Sequence, residues 1–170
     1  MGTVEMKITE ATTLADYVAQ RYEFFKAVGA GTLLDAFLVR NAAFQRGEPL
    51  LKGVPKMEMG HCFANAAKLT LERDWFYVEG YASSAKVGIP LLHAWNVTKD
   101  GKLVDATWKE PETTEYFGVA FNRADMGRWL TKQKYYGLLD SGVGLNIELM
   151  LSMDPDLANE FPQLKKWRSK

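Results

Sequence analysis

The sequence predicts an α+β fold, with N-terminal helices packed on an antiparallel sheet. Three observations predict it. Helical spacing of apolar residues dominates the first seventy or so positions, aromatic and β-branched runs dominate the next fifty, and no helix-length segment separates consecutive runs. Parallel strands require crossovers of a dozen residues or more, so closely spaced runs pair antiparallel.

The first helix opens at Thr13 and carries apolar residues at Leu14, Tyr17, Val18, Tyr22 and Phe25, near the i, i+3, i+4 spacing, before Gly29-Ala30-Gly31. From Thr32 a second helix, with Leu33, Leu34, Phe37, Leu38 and Ala42 on one face, is expected to run to Gln45-Arg46-Gly47. Residues 47–60, with Pro49 and Pro55, read as an irregular crossing segment. A third helix begins at Cys62, with Phe63, Ala66, Ala67 and Leu71 apolar, and ends by Asp74. Strands are expected at 75–82, 91–97 and 102–108, and a fourth at 116–121. A last helix spans about 123–135, and the segment 144–150 has no assigned element.

Composition sets limits on function. At 170 residues and 47% hydrophobic, the chain has the size and content of one domain, 1–170, able to bury its own core. Lysine plus arginine equals aspartate plus glutamate at 21 each, so no net field gathers nucleic acid or an anionic membrane. The basic stretch 164–170 reads as a solvated end. One cysteine makes no internal disulfide, and the opening MGTVEMKITEATT has no apolar core of a secretory signal, so a cytoplasmic location is expected.

That one cysteine is the candidate nucleophile. A thiol attacks carbonyls as thiolate, which a helix N-terminus or a nearby histidine favours. The histidine needs a third group to fix its tautomer and orientation. His93 and Asp105, on consecutive expected strands, are the candidates, and the turn between them decides whether they meet. A two-residue Asp100-Gly101 loop would place Asp105 opposite Asn96 and turn the histidine and the acid to opposite faces. A three-residue Lys99-Asp100-Gly101 loop, with Gly101 left-handed, places Trp95 opposite Asp105 and makes His93 and Asp105 diagonal neighbours on one face, with Cβ atoms roughly 7 Å apart. The catalytic reading requires the second register.

Leu91-Leu92-His93-Ala94-Trp95-Asn96-Val97 followed by Leu103-Val104-Asp105-Ala106-Thr107-Trp108 resembles the strand pair of the transglutaminase-like, broadly papain-like, cysteine enzymes, and Gly60-His61-Cys62-Phe63-Ala64-Asn65-Ala66 is similar to that family's cysteine helix. The resemblance covers about residues 58–121. It implies a Cys62-His93-Asp105 triad in a thiol hydrolase or acyltransferase acting on an amide or peptide bond, with the cysteine at the start of a helix. It departs from the family at His61, which stands where a tryptophan or glycine-rich approach is common. Gln45, Asn65 and Trp95 are candidate oxyanion or substrate-binding residues. The expected partner is a protein or peptide substrate, with no cofactor. Two other readings stand beside it. One is a catalytically silent binding or inhibitory module on the same fold, of a kind known among small proteins of bacterial viruses. The other is a zinc site built from His61, Cys62, His93 and Asp105, which adjacent His61 and Cys62 suit poorly.

Overall fold

A computed structural model describes residues 13–86 and 88–167. Most of the segment read for a signal, and the last residues of the basic end, lie outside the described residues.

Helix α1 spans Leu14–Ala27 and α2 spans Leu33–Asn41; the Thr13 and Thr32 hydroxyls cap them by accepting the Asp16 and Asp35 N–H groups. The second helix therefore stops short of the expected Gln45-Arg46-Gly47. Asn41 turns its side-chain amide back onto the Phe37 carbonyl at 2.9 Å and onto Asp154 at 3.1 Å. Residues Ala43–Arg46 leave as strand β1, because their backbone finds partners on another strand.

After the irregular segment come α3 (Cys62–Arg73), β2 (Phe76–Ser84), β3 (Leu91–Val97), β4 (Leu103–Val104) and β5 (Thr114–Phe121). Then follow α4 (Arg123–Gln133), α5 (Ile147–Met153) and the short α6 (Leu157–Glu160). The five strands form one antiparallel sheet in the order β1-β5-β2-β3-β4. The last strand in sequence sits second in space, since Tyr116, Phe117, Val119 and Phe121 are all buried and require neighbours on both sides.

The hairpin between β3 and β4 has the register of the three-residue loop, in which His93 and Asp105 share a face. Asn96 opposes Val104 and Val97 opposes Leu103, while the Thr98 N–H bonds the Lys102 carbonyl at 2.9 Å. Gly101 takes φ +86°, the left-handed conformation of the three-residue loop. The expected strand 102–108 is cut to two residues, because the Asp105 carboxylate captures the Thr107 and Trp108 N–H groups at 2.8 and 3.2 Å and bends the chain away.

The main core lies between one sheet face and the helices. It includes Phe37, Leu38 and Ala66 from the helices with Tyr77, Phe117 and Phe121 from the strands. The other face carries a smaller cluster around Val78, Trp95, Leu103 and Tyr116. There Trp95 lies across Gly118: a Cβ at that glycine would come within 2.5 Å of the indole edge. Glu79 is fully buried on β2 and clamps the later chain by accepting the Leu139 and Asp140 N–H groups at 2.9 and 3.1 Å, along with that of Leu138 and the Tyr77 hydroxyl. Burial pushes its carboxyl up to about 7 against those four donors. Among the described residues, no helix is long and apolar enough to cross a membrane.

Candidate functional site

Three segments far apart in sequence meet at the β3 end of the sheet. Cys62 opens α3, whose N-cap residue His61 supplies no side-chain hydrogen bond, so the first N–H groups of the helix are not capped by it. The thiol is free and half-buried. His93 lies on β3 and Asp105 just past β4, at 2% and 1% exposure.

Polar side chains hold these segments together. Asn96, three residues from His93, donates to the Ala66 carbonyl and the Thr70 hydroxyl of α3, both at 2.9 Å. Asn65 donates to the Glu58 carbonyl at 2.8 Å and to the Thr107 hydroxyl at 3.0 Å. The Met57 N–H bonds the Ala106 carbonyl at 2.8 Å. The helix carrying the thiol is thereby fastened both to the strand carrying the imidazole and to the turn carrying the acid.

His93 Nε2 lies 2.7 Å from Asp105 Oδ2, and Cys62 is near enough to act on the same ring, raising its affinity for a proton alongside Asp105. With Nε2 engaged by the carboxylate, Nδ1 is the nitrogen left for the thiol. Asp105 Oδ2 also accepts the Tyr116 hydroxyl at 2.8 Å, and Oδ1 accepts the two backbone N–H groups already described, so the carboxylate receives four hydrogen bonds. Burial by itself would raise this carboxyl, yet His93, the Thr107 N–H and the Tyr116 hydroxyl together hold it below the usual carboxylate range. Burial likewise opposes charge on His93, and the hydrogen bonds and charges of Asp105 and Cys62 overcome it, placing the imidazole at about 9. Aromatic rings surround the imidazole: Trp108 with centroids 4.5 Å apart, and Trp95 and Tyr116 each at 6.3 Å.

The structure sets the other candidates apart from this centre. Both amide hydrogens of Asn65 are occupied by Glu58 and Thr107, so it acts as a tether and has no donor left for an oxyanion. Trp95 is 1% exposed inside the smaller cluster; its Nε1 has no hydrogen-bond partner, but it is sealed from a substrate by packing. Gln45 is on edge strand β1, opposite Tyr116, and three strand spacings of roughly 4.8 Å separate β1 from β3. His61 is exposed and its Nε2 is 3.7 Å from Glu58. Among the described residues, no group of three or more His, Cys, Asp or Glu side chains is placed to hold a metal ion.

Tyr116 is the site residue that sequence reasoning missed. A tyrosine in an apolar strand reads as core, and its acceptor lies 11 residues back around a crossover, so no local pattern signals the bond.

No family model, curated protein or solved structure matches the chain.

Proposed function

We propose that this protein is a thiol-dependent hydrolase or acyltransferase of transglutaminase-like, papain-like type that acts on an amide bond. The single observation that carries the reading is a buried imidazole hydrogen-bonded to a buried, fully bonded carboxylate, with the only cysteine of the sequence acting on the same imidazole.

Each group has a step to perform. The Cys62 proton passes to Nδ1 of His93, and the sulfur attacks the substrate carbonyl carbon. Asp105 stabilises the resulting imidazolium and fixes the plane of the ring, while Tyr116 and the two backbone N–H groups fix Asp105. The oxyanion formed on the carbonyl oxygen is met by the uncapped N–H groups of the first turn of α3, Cys62's own among them. Collapse breaks the carbon–nitrogen bond, and the amine leaves with the proton from His93. Water, the simplest acceptor, or a second amine then attacks the thioester and releases the sulfur.

An iodoacetamide-type probe at neutral pH tests the reading. Cys62 in the folded chain should react at least tenfold faster than in the chain unfolded in urea, and Cys62→Ala should abolish both labelling and turnover. A folded thiol no more reactive than the unfolded one would end the proposal.

A further inference from the structure

Beside the triad lies a groove of about 320 Å³, at the small end of the roughly 300–1,000 Å³ of ligand pockets. Its apolar walls are Met59, Leu91 and Trp108, and Lys86 and Glu110 stand at its rim. Each apolar wall belongs to a segment that also carries one member of the triad: Met59 precedes Cys62 by three residues, Leu91 precedes His93 by two, and Trp108 follows Asp105 by three. Leu91 shares a strand face with His93, and the Trp108 ring packs on the imidazole at 4.5 Å. Three residues of chain reach about 10 Å at most, so Met59 lies no farther than that from the Cys62 backbone.

Met59 and Leu91 are 60% and 40% exposed. Apolar residues scattered singly on a surface need no explanation, but these converge with Trp108 on one concavity next to a reactive centre. The rim charges are spent on each other: Lys86 Nζ bonds Glu110 Oε1 at 2.7 Å. With that pair closed, the groove presents mainly apolar surface to an occupant, and Lys109 is the remaining charged residue of its lining.

We propose that this groove seats the side chain next to the scissile bond on the acyl side of the substrate, and that it selects an apolar residue. The inference rests on the thiol reading above. The acyl side is assigned because that part stays attached to Cys62 through both half-reactions, so contacts with it act throughout, whereas the amine departs after the first.

The test uses N-acetyl-phenylalanine, N-acetyl-glycine and N-acetyl-aspartate thioesters sharing one leaving thiol. Intact mass follows the acylation of Cys62, the only cysteine, and the urea-unfolded chain supplies the background rate. Expected is a preference of about tenfold or more for phenylalanine over both glycine and aspartate in the folded chain. The doubly substituted Met59→Ser, Leu91→Ser chain, altered only at exposed positions, should lose the preference for phenylalanine; its thermal melt verifies the fold. Equal rates for phenylalanine and glycine, or aspartate as fast as phenylalanine, with acylation still above background, would overturn the groove and leave the thiol reading intact. Acylation no faster than background with all three would overturn both.

Discussion

Replacing Asp105 with asparagine keeps the shape of the side chain and one oxygen for the Thr107 and Trp108 N–H groups, but removes the charge that faces His93. In the native protein the imidazole stands at about 9 against an ordinary 6.5. That gap is worth about 3 kcal/mol in favour of the imidazolium, at roughly 1.36 kcal/mol per pH unit. Without Asp105, burial, the largest single influence on the ring, is opposed by Cys62 alone, and His93 should titrate at or below 6.5. The chain has two histidines, so imidazole resonances followed by NMR across pH, assigned with a His61→Gln chain, give the curve of His93. Because the folded value lies above the unfolded one, the stability contributed by His93 is complete below about 6.5 and disappears as pH rises through about 9. Urea titrations should therefore show native stability falling by about 3 kcal/mol over that window, with little of the loss in Asp105→Asn. Alkylation of Cys62 should lose its imidazolium assistance over the same range. A native His93 that titrates at or below 6.5, or that ignores the substitution, would refute the reasoning.

Other substitutions probe the supports of the site. Tyr116→Phe removes one donor from a buried carboxylate and should cost about 1.5–3 kcal/mol in urea unfolding with an unchanged slope; an unmoved midpoint would mean that the hydroxyl contributes nothing. Gly118→Ala forces a Cβ to within 2.5 Å of Trp95 and 2.7 Å of the Glu79 carbonyl, so a loss of at least about 1–3 kcal/mol is expected, with a changed near-ultraviolet tryptophan signal. Glu79→Gln sets an amide N–H against the N–H groups it now receives. Hydrogen exchange at Leu138 and Leu139 should accelerate well beyond that of the α3 amides.

What could be read in the sequence depended on whether the deciding interaction was local. Side-chain alternation narrowed the β3–β4 register to two choices; Gly101 is compatible with the three-residue loop, and only that loop lets His93 and Asp105 share a face. The partnership of His93 and Asp105 followed from that register. Strand β1 escaped because nothing in Ala42-Ala43-Phe44 breaks a helix; the bonds that draw it away belong to β5, more than seventy residues later. The truncation of β4 was hidden for the opposite reason, since the Asp105 side chain outcompetes the ladder for its own neighbours' N–H groups. The tethering by Asn65 and the burial of Trp95 were not legible because residue type alone does not say whether a donor is already taken or a ring sealed in packing. Glu79 had a visible signature, a lone charge in the apolar run Tyr77-Val78-Glu79-Gly80-Tyr81, and that signature indicates a buried clamp.

The three residues at the tip of the β3–β4 hairpin make its length a parity constraint on the chemistry. Substitution at Lys99 or Asp100 leaves the phase of the sheet alone, whereas gaining or losing a single residue there would invert everything downstream and present the acid to the helix-covered side. Alignment of the proton path is thus stored as a count of peptide units, so a lineage of such proteins would tolerate drift in what this loop is made of far better than drift in how long it is.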